Sequence, residues 1–235
     1  MRKWISVSVT TALIAPVIAG LLAAGSWRYG ASLLDADLQP AAPTDARWRD
    51  LYWRALGATD PLPDTFRTGI LTRLIPASAA SQDAQHELMA HTARLLLPAR
   101  ALHAPVVQRH LAEAVLRFHI ALRWTPAQAV DATLERAYFG RGARGLERAS
   151  HAYFGRGCSS LDQGQLLALF VLTRGPAFYD PQYRQRRFQT RYLELARRTK
   201  VQTPPAHVLR ALVPDTRFAQ VNVDPRHSME PVKTP

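Results

Sequence analysis

Residues 138–149 read YFGRGARGLERA, and a second Tyr-Phe-Gly-Arg follows at 153–156. Glycine adopts positive φ at little steric cost, so glycine clusters of this kind mark turns and helix ends. Upstream, Thr125-Pro126 is typical of a helix cap and a first helical residue, which predicts a helix over 126–136. Downstream, residues 166–172 form a short, almost wholly apolar run that is typical of a buried helix. Together these signals predict a packed helical scaffold.

The composition allows one membrane segment and one globular domain with a core of its own. The chain has 235 residues, of which 47% are hydrophobic and 20% are charged. No long apolar–polar alternation is present, so we expect an almost all-α protein. The net charge of +12 indicates an anionic partner, but the chain shows no zinc spacing, RNP motif or helix-turn-helix that would favour nucleic acid. The single cysteine, Cys158, cannot form an internal disulfide.

The N-terminal segment has the pattern of a membrane anchor. Residues 4–27 contain no charged side chain, begin and end with tryptophan, and follow two basic residues. About 20 apolar residues cross a bilayer as a helix, and tryptophan is enriched at the membrane interfaces. We therefore predict a transmembrane helix over 1–30, with a cytoplasmic N-terminus and the rest of the chain in the periplasm. The alternative is a cleaved signal peptide with its cut near 23–25, which exports the same residues.

Three segments are predicted after the anchor. A linker rich in proline and alanine spans 31–47, one helical domain spans 48–200, and an irregular tail with six prolines spans 201–235. Inside the domain, a small and polar stretch over 75–85 is predicted as loop. Helices are expected at about 85–97, 104–122, 126–136 and 188–198, with a further helix starting at Ser159 or Ser160.

The order of these motifs resembles the family 51 glycosyltransferases, which are the peptidoglycan transglycosylase domains of penicillin-binding proteins and their monofunctional relatives. In that family a Y-F-G turn is followed by a G-A-x-G-x-E-A-A helix start, a second Y-F-G-K, and an apolar helix that ends in P-x-x-Y-N-P. The last motif is matched by PAFYDP at 176–181. The resemblance covers 48–181 and is most specific over 125–181. It implies an all-α fold with an N-terminal transmembrane helix and one lysozyme-like helical glycosyltransferase domain.

The resemblance also implies site residues. The family motif R-K-x-x-E is matched by Arg109, His110 and Glu113. The Glu of I-L-E-x-Y-L-N is matched by Asp131, and the basic residue near the end of G-G-S-T-I-T-Q-Q-L-A-K-N by Arg94. We therefore expect Arg94, Arg109, His110 and Asp131 to bind the substrate and Glu113 to act beside the donor sugar. Arginine suits a diphosphate because its guanidinium makes bidentate contacts with phosphate oxygens.

The first family motif, E-D-x-x-F-Y-x-H-x-G-x-D, departs most from this chain. In the family, its Glu takes a proton from the acceptor 4-hydroxyl, which attacks the donor anomeric carbon with inversion while the lipid diphosphate leaves. The best register places Trp48 at that position, and an indole cannot accept the proton. Asp45 and Asp50 are the nearby carboxylates. We take Asp50 as the predicted catalytic substitute.

Three hypotheses on function remain open at this point. The first is a membrane-anchored peptidoglycan glycosyltransferase that acts on lipid II. The second is a catalytically inactive relative that binds the lipid precursor or serves as a scaffold in cell-wall synthesis. The third is an exported basic helical membrane protein with a different role.

The resemblance further implies partners, a cofactor and a location. The expected partners are lipid II, the nascent glycan chain, the bacterial inner membrane and other cell-wall synthesis enzymes, without nucleic acid. A divalent metal, Mg²⁺ or Mn²⁺, is expected only with the diphosphate. No metal site in the protein is predicted, because His86 and His91 lie five residues apart and His110 and His119 nine apart, which is not the spacing of a helical metal pair.

Overall fold

The computed structural model describes residues 24–25, 27–34, 38–66 and 79–213. Contacts between Cα atoms divide the chain into two compact units, with unit 1 ending at Arg136 and unit 2 starting at Ala137. Most described residues are helical, as the sequence pattern predicts. Within the described ranges, no helix combines the length and the apolar composition needed to cross a bilayer. The predicted anchor over 1–30 lies outside the described residues except for 24–25 and 27–30.

Unit 1 is built from helices. The prediction over 126–136 is confirmed, and the predicted helix over 104–122 is confirmed with a start two residues later. The loop predicted over 75–85 is wrong for 79–85, which are helical, because Ala84 is completely buried and the packing of that face extends the helix towards its N-terminus. The helices are α1 (Ala46–Ala55), α2 (Ala79–Leu96), α3 (Ala99–Leu102), α4 (Val106–Arg123) and α5 (Pro126–Arg136).

The core of unit 1 forms around α2. This helix packs against both α4 and α5, and α1 packs against α5. The buried face of α2 includes Ala84, Leu88 and Ala93, none of which has any exposed surface. The hydroxyls of Thr92 on α2 and Thr133 on α5 lie 2.9 Å apart in this interface. Buried polar groups need hydrogen-bond partners. In the close-packed interface between α2 and α5, the two hydroxyls serve as partners for each other.

The residues ahead of α1 pack on α4. Residues 27–32 are helical, and a Cβ built on Gly30 would lie 2.9 Å from Cγ2 of Val115 and 3.1 Å from the carbonyl oxygen of Leu111, so the segment lies too close to α4 there for a larger residue. The ring of Trp27 meets the ring of Phe118 edge-on at 4.9 Å. This segment is therefore fixed to the surface of α4.

A buried carboxylate connects the start of α1 to α5. Asp131 is 2% exposed, and its Oδ1 accepts hydrogen bonds from the Thr44 amide (3.1 Å), the Thr44 hydroxyl (2.5 Å) and Nε of Arg49 (2.8 Å). A buried charge is tolerated when it is paired and hydrogen-bonded in this way. The contact spans 82 residues of sequence between Arg49 and Asp131.

Unit 2 contains a small hairpin followed by helices. The YFG segment, predicted as a turn, forms a strand instead, because the tight connection brings it back to pair antiparallel with the following residues. Gly140 has φ of 90°, and a Cβ there would lie 2.7 Å from the hydroxyl of Tyr153, so only glycine fits. The elements are β1 (Tyr138–Gly140), β2 (Ala143–Arg144), α6 (Leu146–Phe154), a 3₁₀ turn (Cys158–Ser160), α7 (Gln163–Leu172), α8 (Gln185–Thr199) and α9 (Pro205–Arg210).

The apolar helix predicted near 166–172 is confirmed as α7, which is buried over 164–172 and packs against α6, α8 and α9. Its start is not at Ser159 or Ser160. The cap is Asp162, which forms a capping box with Gln165, and Gln165 also accepts a hydrogen bond from Nη2 of Arg156 at 2.6 Å. The helix predicted over 188–198 is confirmed as α8. In the segment predicted to be an irregular tail, α9 forms a short helix, and 214–235 lie outside the described residues.

The single cysteine of unit 2 is held by a carboxylate. Oε2 of Glu147 accepts hydrogen bonds from the Cys158 amide at 3.2 Å and from its thiol at 2.5 Å. Burial and this carboxylate raise the pKa of the Cys158 thiol to about 12, so the thiol stays protonated at neutral pH. Glu147 therefore anchors the 3₁₀ turn to α6.

We predict that Asp131→Ala lowers the free energy of unfolding by about 3 kcal/mol, because it leaves the Arg49 guanidinium without its buried partner. Urea denaturation of the full chain measures this change. The matched control is Asp50→Ala, which removes an exposed ion pair with Arg54 and is expected to change stability by less than about 1 kcal/mol. Equal losses in the two variants would show that the buried pair does not stabilise the fold.

Candidate active site

One side of α4 carries the residues that match the R-K-x-x-E motif. Arg109, Glu113 and Arg117 follow each other at intervals of four residues, so they lie on successive turns of the same helix face. Nη2 of Arg117 donates a hydrogen bond to Oε1 of Glu113, whose side chain is 12% exposed. Arg109 is half-buried and His110 is exposed. The structure therefore presents one mostly buried carboxylate on a basic helix face.

The predicted substrate-binding residue of α2 lies on a neighbouring helix. Arg94 is exposed in the last turn of α2, and its Nε donates to the carbonyl of Ala90 at 3.2 Å. Since α2 packs against α4, the helix of Arg94 and the helix of Arg109 and Glu113 are in direct contact. These three predicted residues thus belong to one pair of packed helices.

The two aspartates among the predicted site residues have different environments. The side chain of Asp131 is only 3% exposed and is occupied by Thr44 and Arg49, so in this structure it supports α1 from inside the fold rather than facing a ligand. Asp50 lies on α1 with 45% of its side chain exposed, and its Oδ2 is 2.9 Å from Nη2 of Arg54. Asp50 is accessible to a ligand, but it already holds a guanidinium.

A histidine connects α1 and α2 beside Arg94. Nδ1 of His91 lies 3.2 Å from the hydroxyl oxygen of Tyr52, and the residue Tyr52 is only 2% exposed. Burial, together with the positive charge of Arg94, lowers the pKa of His91 to about 4. The imidazole is therefore neutral at pH 7, and the positive charge at this end of α2 comes from Arg94.

At least two grooves open on the described part of unit 1. The larger of the two, with a volume of about 310 Å³, is mostly apolar and is lined by the segment ahead of α1 and by α4. Its lining residues include Trp27, Leu34, Val115, Phe118, Leu122 and, as polar members, His119 and Arg123. The smaller groove lies between Trp53 and Gln85. Arg94, Arg109 and Glu113 line neither groove.

Residues 90–200 match the family model described as transglycosylase. Over these residues the chain matches a transglycosylase domain. The match covers just under half of the 235 residues, begins inside α2 and ends after α8, and confirms the resemblance carried by the sequence motifs. Arg94, Arg109 and Glu113 lie inside the matched range, whereas Trp48 and Asp50 lie outside it. No curated protein matches the chain.

Two features of the transglycosylase domain were missing from the sequence predictions. Arg117 is the partner of Glu113, and the spacing of four residues between an acidic and a basic side chain on a helix is the signal that indicates it. The burial of His91 had no local signal, because it depends on packing between α1 and α2. Among the described residues, no three histidine, cysteine, aspartate or glutamate side chains gather as metal ligands. The expected divalent ion on the diphosphate stays a prediction.

We predict that His91 titrates in NMR with a midpoint of about 4 in the folded protein. Because this pKa lies below the ordinary value of 6.5, the unfolded chain takes up the proton first as the pH falls. The stability contributed by neutral His91 is therefore complete above pH 6.5 and is lost between pH 6.5 and about 4.

The variant Arg94→Gln should raise the His91 midpoint only part of the way to 6.5, because burial is the larger cause of the shift. The matched control Arg109→Gln should leave the midpoint unchanged. A midpoint near 6.5 in the unsubstituted protein would contradict the burial of this imidazole.

Proposed function

We propose that the transglycosylase domain takes lipid II as its ligand and acts in the synthesis of peptidoglycan glycan chains. The observation that carries this proposal is the family match over 90–200, which includes the three residues predicted to meet the donor: Arg94, Arg109 and Glu113. The match to a transglycosylase domain supports peptidoglycan glycosyl transfer as the activity. Lipid II is the ligand proposed for it.

The chemistry of unit 1 supports a ligand with an anionic head and a hydrocarbon tail. Arg94 and Arg109 supply guanidinium groups on two packed helices, and fixed positive charge with bidentate geometry suits a diphosphate. The apolar groove of about 310 Å³ has a lining suited to hydrocarbon. Part of its lining comes from α4, the helix that also carries Arg109.

Turnover requires a proton acceptor in addition to this binding surface. In the proposed reaction the acceptor 4-hydroxyl attacks the donor anomeric carbon, the lipid diphosphate leaves, and the hydroxyl proton passes to a carboxylate. Asp50 is the proposed acceptor, and it has to exchange Arg54 for the hydroxyl before it can take the proton. Glu113, held by Arg117, is proposed to position the donor. A divalent ion would neutralise the diphosphate charge without a dedicated protein cluster.

A second candidate function is a catalytically inactive protein that binds lipid II or serves as a scaffold for other cell-wall enzymes. One observation favours it. Trp48 stands where the family has its base, and an indole cannot accept the proton. Both candidates share the same binding surface and differ only in whether a proton is removed.

The proposed location is the bacterial inner membrane, with a single anchor over 1–30, a cytoplasmic N-terminus and a periplasmic domain. The support is the absence of charged residues over 4–27 after two basic residues. Lipid II and the nascent glycan chain would be reached from the periplasmic side.

The test is incubation of the full chain in detergent with labelled lipid II and Mg²⁺, with binding and polymerisation measured separately. We expect Glu113→Gln to abolish polymerisation and Trp48→Ala to leave it largely intact. Arg109→Gln should weaken binding about tenfold, because one charge-assisted contact of roughly 1.5 kcal/mol is lost. The matched control Arg136→Gln, at the exposed end of α5, should leave binding unchanged.

Each outcome separates the candidates. Binding with polymerisation supports the enzyme, and binding without product in the unsubstituted protein supports the inactive relative. If neither occurs, lipid II is not the ligand. If Glu113→Gln leaves polymerisation unchanged in an active preparation, the catalytic site does not include Glu113.

A further inference from the structure

Unit 2 presents an arginine–aromatic surface at the start of α8, defined by Phe178, Tyr183, Arg184, Arg186 and Arg187. The two rings are 52% and 53% exposed, and the three arginines are exposed as well. The guanidinium of Arg187 lies 4.3 Å from the ring centroid of Phe178, so the charge and the ring form one continuous patch.

The positive charge of this surface is not neutralised by any acidic side chain that the structure describes. Within the described ranges, none of its three arginines forms an ion pair. The nearest acid along α8, Glu194, is held by Arg191 at 2.6 Å and by Arg198. Asp180 accepts hydrogen bonds from the amides of Gln182 and Tyr183, which uses its Oδ1 in the turn before the helix. Three guanidinium groups are therefore available to an external anion.

The orientation of α8 limits how a partner can approach. Phe188, Tyr192 and Leu195 form the buried side of the helix within unit 2. Because that apolar side is already packed, α8 cannot rotate to insert into a bilayer as an amphipathic helix does. Any partner must meet the surface from outside, through arginine side chains and two exposed rings.

We infer that the arginine–aromatic surface binds the headgroup layer of an anionic phospholipid membrane. Clustered arginines bind anionic headgroups electrostatically, and exposed phenylalanine and tyrosine rings favour the boundary between headgroups and acyl chains. The arginines would contact the anionic headgroups, and the adjacent rings would lie at the boundary with the acyl chains. This inference concerns unit 2 alone and does not rest on the binding of lipid II.

The experiment uses the full chain in neutral detergent micelles, where no anchor has to be removed. An environment-sensitive dye is attached to Thr190→Cys, one turn along α8 from the surface, in a Cys158→Ser background that leaves a single thiol. Phosphatidylglycerol is then titrated into the micelles. We expect a blue shift of the dye with phosphatidylglycerol, no shift with phosphatidylcholine, and reversal in about 0.5 M NaCl because salt screens exposed charges.

Substitutions identify the surface responsible. The triple variant Arg184→Gln, Arg186→Gln and Arg187→Gln should raise the phosphatidylglycerol fraction at the midpoint by tenfold or more, since each arginine near an anionic surface contributes about fivefold. The matched control removes three exposed charges elsewhere in unit 2: Arg144→Gln, Arg148→Gln and Arg210→Gln. It should leave the midpoint within about twofold. Circular dichroism verifies that both triple variants are folded.

A second pair of measurements separates a membrane from a soluble polyanion. Phe178→Ser with Tyr183→Ser should weaken the response to phosphatidylglycerol, because the rings reach the acyl boundary. The inference is overturned by an equal response to phosphatidylcholine, by an equal loss in the control triple variant, or by no response at all. Binding of RNA or polyphosphate without a response to phosphatidylglycerol would also overturn it and indicate an acidic polymer as partner.

Discussion

The buried face of α2 is the constraint on which the arrangement of unit 1 depends. This face contacts both α4 and α5, and α5 in turn packs against α1. Ala84, Leu88 and Ala93 are completely buried on this face, and close-packed interiors allow little movement of such residues. The helices that carry Arg94 and Arg109 are therefore placed by apolar packing, so the positive charges stay in position without needing a partner to hold them there.

The carboxylates of unit 1 are placed by a different interaction. Asp131 pairs with Arg49, Glu113 with Arg117 and Asp50 with Arg54. The first pair is buried and structural, and the last is exposed on a single helix. A carboxylate that already holds a guanidinium has to release it before it can accept a proton from a hydroxyl. The positive charge of unit 1 comes instead from arginines such as Arg94 and Arg109, for which the described residues show no ion pair, so the arrangement suits the binding of an anion more directly than it suits proton transfer.

What the sequence predicts well is what is encoded locally. The start of α5 follows from Thr125-Pro126, and the burial of α7 follows from its apolar run. The start of α2 was placed too late, because its first turns are small and polar and their helical state depends on burial against other helices. The ion pair between Arg49 and Asp131 joins residues 82 positions apart, and no local pattern indicates it. The strands of the hairpin at 138–144 are too short to show the apolar–polar alternation that indicates a β-strand.

For the candidate site, sequence motifs predict the residues for anion binding but not the residue for proton removal. Anion binding depends on fixed charge, which tolerates exchange of one basic residue for another, so motif matching within 90–200 is enough to predict Arg94 and Arg109 as anion ligands. Proton removal depends on one carboxylate at one place, and the motif that would supply it lies before residue 90, where Trp48 breaks the pattern. Motif order therefore indicates a ligand class, whereas the question of catalysis depends on whether Asp50 can exchange Arg54 for a sugar hydroxyl. That exchange is a property of one exposed ion pair, and exposed ion pairs contribute only about 0–1 kcal/mol, so it is no large barrier to turnover.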